Sequence, residues 1–179
     1  MKKILSFSLI ISTLVLSACN TAPTKDIQVK STLSVDAQLK NHQSYSWSGF
    51  ATVLNDPEEK WQPADLDVSS TIKSLIDREL QKKNLTKVEV DGADLAISFF
   101  TGVDMDSQSL KAAPNSDVEI PKNVAKAALI IIAIDTKTGY VVWVGVATDD
   151  VIIKPTAETM QARLDYAITE IFNAKAIRD

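Results

Sequence analysis

Leu16-Ser17-Ala18-Cys19 is the one stretch of this sequence whose residue types and spacing point to a defined chemistry. Small residues ahead of a cysteine, closing an apolar run from Ile4 to Leu16 that follows Lys2 and Lys3, make the pattern of a bacterial lipobox. The chemistry is done on the chain. The resemblance to lipoprotein signals implies that Cys19 would carry a diacylglycerol through a thioether and become the N-terminus as the leader is cut away, and that in many bacteria a third acyl chain would be added to the new amino group. The apolar run is shorter than the about 20 residues that a membrane-spanning helix needs. The competing readings are an ordinary secretory signal with an incidental cysteine, or a short uncleaved anchor. Against both, Cys19 is the only cysteine, whereas an exported domain stapled by disulfides uses an even number. Two or three acyl chains would hold the protein on a membrane permanently, since each buried methylene contributes about 0.8 kcal/mol. Asn20 stands where an inner-membrane retention aspartate would be in a Gram-negative lipoprotein, which for a Gram-negative host points to the outer membrane, periplasmic leaflet.

Chemistry done by the chain is harder to find. A nucleophile needs a base beside it, and the sole histidine, His42, comes with no Gly-x-Ser-x-Gly elbow. Asp104-x-Asp106-x-Gln108 resembles the start of a calcium loop, but Ser109 replaces the turn glycine and Asn115 the bidentate glutamate. Asp149 and Asp150 are adjacent, so an extended backbone points them to opposite faces. None of the five glycines is clustered, which leaves no phosphate-cradling turn. No catalytic residue, cofactor or metal site is therefore expected. Of the three tryptophans, Trp47 and Trp143 lie in apolar runs and read as core, while Trp61, in a polar loop before Pro63, is the better contact residue.

The elements behind these residues divide the chain into a signal peptide (1–18), a lipidated tether (19–26) and a single globular domain (27–179). Without Lys2 and Lys3, 17 basic residues face 23 acidic ones and the formal charge moves from −4 to −6, which argues against nucleic acid as a partner. Alternation predicts strands at 27–35, 44–53, 85–90 and 94–102. Val68, Ile72, Leu75, Ile76 and Leu80 recur at helical spacing, with Lys73, Asp77 and Arg78 outward and Asn84 as a left-handed stop. The stretch 103–122 is polar and long for a loop in a compact domain. Residues 128–134 and 140–147 are apolar on both parities around an Asp135-Thr-Lys-Thr-Gly139 turn, so they belong at the centre of a sheet with both faces covered. Thr156 then caps a helix burying Met160, Leu164, Ala167, Ile168, Ile171 and Phe172, with Arg163, Asp165, Glu170 and Lys175 expected in water.

The Tyr45-Ser-Trp47 strand, the helix ending at Asn84, the Gly92-Ala-Asp94-Leu-Ala-Ile97 strand and the hairpin through Tyr140-Val-Val-Trp143-Val-Gly145 resemble, in order, the domain-of-unknown-function 4136 family of bacterial lipoproteins. The resemblance implies location and fold and brings no activity. The expected fold is α+β, a two-layer sandwich with a mostly antiparallel five- to six-stranded sheet and two amphipathic helices on one face. Helices on one face leave the other to be shielded, by the N-terminal strand region with the 103–122 loop or by a partner. Ile130 and Ile132, with Trp61, are therefore the expected contacts for an envelope protein partner or a homodimer. The expected function is a non-catalytic, membrane-tethered binding or scaffolding module. The alternatives are a carrier of a small apolar ligand and an accessory subunit of a peptidoglycan- or lipid-acting enzyme.

Overall fold

The computed structural model describes residues 24–31, 33–48, 52–54, 63, 65–102, 105–106, 123–124, 127–150, 152 and 154–175. The apolar hairpin is its spine. β8 (Ala127–Asp135) and β9 (Val141–Asp149) pair antiparallel, and β5 (Leu95–Gly102) pairs antiparallel with the other side of β8. β1 (Gln28–Ser31) adds to β9 at one edge. On the far side of β5 lie β2 (Ser44–Trp47) and β3 (Thr52–Leu54), and β4 (Thr86–Lys87) closes that edge against β2. The seven-stranded sheet runs β1-β9-β8-β5-β2-β4, with β3 also on β5.

The fold is α+β as expected, and one detail is corrected: β2, β3 and β4 run parallel to their neighbours, so the sheet is mixed. Their parallel course follows from the helical crossover between β3 and β4, which returns the chain to the end of the sheet from which β2 starts. β2 and β3 both lie along β5, and so divide the single expected strand at 44–53 into two pieces. Of the expected strand at 85–90 only Thr86–Lys87 is regular, because Leu85 is spent on the helix stop and the chain bends at Val90.

Three helices accompany the sheet. α2 (Val68–Lys82) is capped by the Asp67 carboxylate, which accepts from the Ser70 amide at 3.0 Å. It stops on Asn84 in the left-handed conformation (φ 64°), where the Asn84 and Leu85 amides return to the Gln81 and Leu80 carbonyls. α3 (Ala157–Asn173) is capped by Thr156, as its sequence predicts. α1 (Val35–Leu39) lies where the first strand was expected to end; Val35 and Leu39, one turn apart, both enter the core.

Ile72, Ile76 and Leu80 of α2 and Leu164, Ile168, Ile171 and Phe172 of α3 pack on the sheet face made by Leu95, Ile97, Phe99, Leu129, Ile131 and Trp143. Trp143 is fully buried with its ring 5.2 Å from that of Phe172. Gly145, next on the same face, makes room for it: a Cβ there would stand 2.8 Å from the indole and collide with the Ile171 side chain. The Trp143-Val144-Gly145 spacing is thus a packing requirement, because the large ring lies across the place where the second side chain would be. The opposite face holds a second apolar cluster of Phe100, Ala128, Ile130, Ile132, Val141 and Val144, against which Leu33 packs. Beyond β5 and β8, β6 (Met105–Asp106) and β7 (Asn123–Val124) pair antiparallel, so both ends of the long polar connection are joined as a ribbon.

Candidate functional site

The polar group buried most deeply against expectation is Arg163. Helical spacing hides it in plain view, for it stands three residues after Met160 and four before Ala167, on the stripe that α3 presents to the sheet. Only 5 % exposed, its guanidinium is met from two sides. Asp26, just ahead of β1, accepts from Nη1 at 3.1 Å and Nη2 at 2.7 Å. Asp149, the last residue of β9, accepts from Nε at 3.1 Å and also from Nη2. A planar fork held by two carboxylates is the arrangement for which arginine is suited over lysine. The expected outward position of Arg163 is therefore corrected: two carboxylates from other elements make its burial tolerable. Asp26, assigned to the tether by composition, is bound to the domain.

The two acids are not equivalent. The hydrogen bond from Arg163 holds the Asp26 pKa down at about 2, against the desolvation that would raise it. Burial raises that of Asp149, and the nearby Asp26 charge adds to the rise against the opposing pull of Arg163. Geometry accounts for this: Asp149 Oδ1 is buried without a hydrogen-bond partner among the described residues. Beside the triad, between α3 and the sheet, lies a cavity of about 60 Å³ lined by Ile27, Thr101, Leu129, Ala147, Met160 and Leu164. It offers room for a few waters or a few carbon atoms, since one water needs roughly 10–15 Å³ measured this way.

Three other polar clusters are built into the fold. Asp77 of α2 accepts from the Tyr45 hydroxyl at 2.8 Å, the Trp47 indole at 3.0 Å and Lys87 at 2.9 Å. Burial, and then the Asp77 hydrogen bond, push the Tyr45 hydroxyl well above its ordinary range. Between the helices, buried Glu79 accepts from Arg78 and Lys82, and Arg78 reaches Asp165 of α3 at 2.6 Å. Burial would raise the Glu79 pKa, but the bonds from Lys82 and Arg78 outweigh it and lower the value. At the hairpin turn, His42 Nε2 lies 3.3 Å from Asp135, and Asp135 also accepts from the Thr138 amide and hydroxyl. Nearby, Asp94 accepts from the Gln43 and Ser44 amides and the Ser44 hydroxyl.

Of the residues singled out in the sequence, Cys19 and Trp61 lie outside the described residues, as do Asp104 and Gln108. Ile130 and Ile132 sit on the face opposite the helices and are only 9 % and 1 % exposed in the single chain, so neither presents an open contact surface. Trp143 is core; Trp47 is half-buried, edge-on to Phe99, with the Lys73 ammonium 5.7 Å from its ring centre. Asp149 and Asp150 do not act together: Asp149 turns to Arg163, while Asp150 is exposed. Among the described residues no group of three or more His, Cys, Asp and Glu side chains is placed to hold a metal ion, and no helix is long and apolar enough to cross a membrane.

Comparison with known proteins places the fold. No functionally curated protein matches the chain. The crystal structure of a DUF4136 family protein from Bacteroides thetaiotaomicron VPI-5482 is similar with a TM-score of 0.56 and 12 % identity, covering 83 % of this chain and 95 % of that one. A PelC dodecamer from Paraburkholderia phytofirmans is similar at a TM-score of 0.43 and 11 % identity, over 81 % of this chain and 95 % of that one. At such identities the likeness concerns the fold. The sequence itself matches the family model described as a domain of unknown function, DUF4136, over residues 29–174, which takes in every strand and helix from the middle of β1 to the end of α3. The chain belongs to the DUF4136 family.

Proposed function

We propose that this chain is a non-catalytic lipoprotein of the cell envelope. It is lipidated on Cys19 and held at the periplasmic leaflet of the outer membrane, where its domain serves as a binding or scaffolding module for an envelope partner. The observation that carries the reading is Leu16-Ser17-Ala18-Cys19 at the end of a short apolar leader, with no second cysteine in the chain. The absence of aspartate after Cys19 supports the outer membrane as destination. The polar clusters of the described residues support a non-catalytic role, since Asp77, Glu79, Arg163 and Asp135 are each engaged in joining one element to another. The carrier alternative asks for a deep apolar pocket, and among the described residues the apolar cavity between α3 and the sheet, about 60 Å³, falls well short of the several hundred that enclose a whole ligand. Metabolic labelling with a radioactive fatty acid, followed by membrane fractionation, tests the proposal. The wild-type chain takes up label and floats with outer-membrane vesicles, while Cys19→Ser takes up none and stays unprocessed or leaves the membrane. Normal fractionation of an unlabelled Cys19→Ser chain would end the reading.

A further inference from the structure

The open edge of the sheet at β4 is patterned for a second copy of the chain. β4 ends the strand order and has no neighbour on its outer side among the described residues, and Thr86 to Val90 are all exposed, Val88 at 37 % and Val90 at 69 %. The direction of its backbone groups is fixed by two bonds to the inner neighbour. The Thr86 amide donates to the Gln43 carbonyl and the Val88 amide to the Tyr45 carbonyl, both at 2.9 Å. Successive residues of an extended chain turn their amide and carbonyl to opposite sides. Lys87 and Glu89 therefore aim theirs outward at the free edge. Edge strands are ordinarily protected by charge, lysine above all, because a like charge meets it in most pairings. Here the sequence Lys87-Val88-Glu89 cancels that protection in one register alone.

We propose that two copies pair antiparallel through β4 about a two-fold axis at Val88. Lys87 then lies opposite the Glu89 of the second copy, twice over, and these are the residues whose backbone groups already face outward. The two pairs exchange four amide-to-carbonyl bonds and bring Glu89 up to Lys87, whose ammonium is bonded to Asp77 at 2.9 Å but half exposed, so that it is shared between the two carboxylates. Val88 meets Val88 in the close, non-hydrogen-bonded position, with Cα atoms about 4.5 Å apart, and the pairing ends before the bend at Val90. A shift that sets Lys87 against Lys87 or Glu89 against Glu89 repels, so the charges select the register as well as the partner. The contact is isologous, as a two-fold interface must be. It uses no residue of the two buried clusters and stands whether or not Cys19 is lipidated. A short edge pairing is weak in dilute solution and gains from confinement of both copies to one compartment or surface.

Disulfide trapping in the full-length protein, expressed in intact cells and mildly oxidised, tests this. The wild-type chain, with Cys19 alone, supplies the background. Val88→Cys should give a covalent dimer well above that background, because about 4.5 Å between Cα atoms falls in the range a disulfide spans. Val90→Cys should not, since Val90 lies at the bend beyond the paired stretch and a two-fold axis at Val88 keeps the two copies of it on opposite sides. Adding Glu89→Lys to Val88→Cys should lower the trapped dimer several-fold, by setting lysine against Lys87. Val88 and Val90 are both exposed, so neither cysteine touches the core. No dimer above background for Val88→Cys, equal trapping at Val90→Cys, or indifference to Glu89→Lys would each overturn the proposal.

Discussion

The two ends of the sheet are secured by the same residue type in opposite ways. At the hairpin end, Asp94 and Asp135 accept backbone amides and hydroxyls from neighbouring turns, with His42, Ser44, Thr136 and Thr138 sharing the work over many bonds. At the other end, Asp26 and Asp149 depend on one buried guanidinium, and Arg163 joins the start of β1 to the end of β9 through α3. A distributed network loses one bond at a time. A single buried cation loses everything at once, because its removal leaves two carboxylates side by side, partly shielded from water and with no charge between them.

The comparison predicts a graded series. Arg163→Ala should be the most damaging, by about 3–5 kcal/mol in urea denaturation, since breaking a buried pair costs far more than the pair is worth. A loss under about 1 kcal/mol, the level of a surface pair, would show that the triad is solvated and the contrast between the ends unreal. Gly145→Ala, midway between the ends, should cost roughly 1–3 kcal/mol through overpacking against Trp143 and Ile171. It serves as a reference: hydrogen exchange should quicken at both ends of β9 alike. Asp26→Asn should cost about 1–2 kcal/mol, the low end for a hydrogen bond to a charged group, because Asp26 is about a third exposed. Exchange should then quicken in β1 and stay unchanged at the hairpin turn. Asp135→Asn should cost about 1 kcal/mol or less, because Asp94 and Thr136 continue to hold the turn.

Acid separates the ends most finely. Asp26, Asp94 and Asp135 all have lowered values, Asp94 through the Gln43 and Ser44 bonds and Asp135 because the Thr138 bonds outweigh its burial. Their stabilisation is present above the unfolded carboxylate range and is lost as pH falls, for Asp26 between about 4 and about 2. Asp149 works in the opposite sense. Its raised value contributes stability that is full below the unfolded range and is lost as pH rises through its folded value. Thermal melting between about pH 4 and about pH 2 should therefore fall less steeply in Asp26→Asn than in the wild type, whereas Asp149→Asn should change the profile above about pH 4, removing the stability that the wild type gains there as pH falls. Equal slopes between about pH 4 and about pH 2 in Asp26→Asn and the wild type would mean that Asp26 does not titrate in that window.

Much of this architecture is legible in the sequence, and the exceptions have physical causes. Both long helices, their Asn84 and Thr156 boundaries and the central hairpin are read from local periodicity and capping, which need no knowledge of distant residues. The parallel course of β2, β3 and β4 is not, because alternation reports which face a residue takes and says nothing of strand direction. α1 is missed because five residues hold only one helical repeat, Val35 to Leu39. Arg163 is misplaced because a charged side chain on a helix is assigned to water by type, although its position relative to Met160 and Ala167 marks it as internal. Its partner Asp26 is 137 residues away, and no local pattern joins them. The resemblance carried by Trp143 and Gly145 agrees with the family match, and their packing explains why the two residues stand together.

The bond between Asp26 and Arg163 also sets the length of a leash. On the proposed reading the lipid sits on Cys19, seven residues before Asp26, and a fully extended chain spans at most roughly 25 Å over that distance. The corner of the domain that carries the triad and the cavity is then kept at the bilayer surface, and the molecule swings about that corner as a hinged plate. β1 and β4 are opposite edges of the sheet, five strand spacings or about 24 Å apart. Tethering by one edge leaves the other sweeping an arc above the membrane, within reach of whatever is anchored alongside.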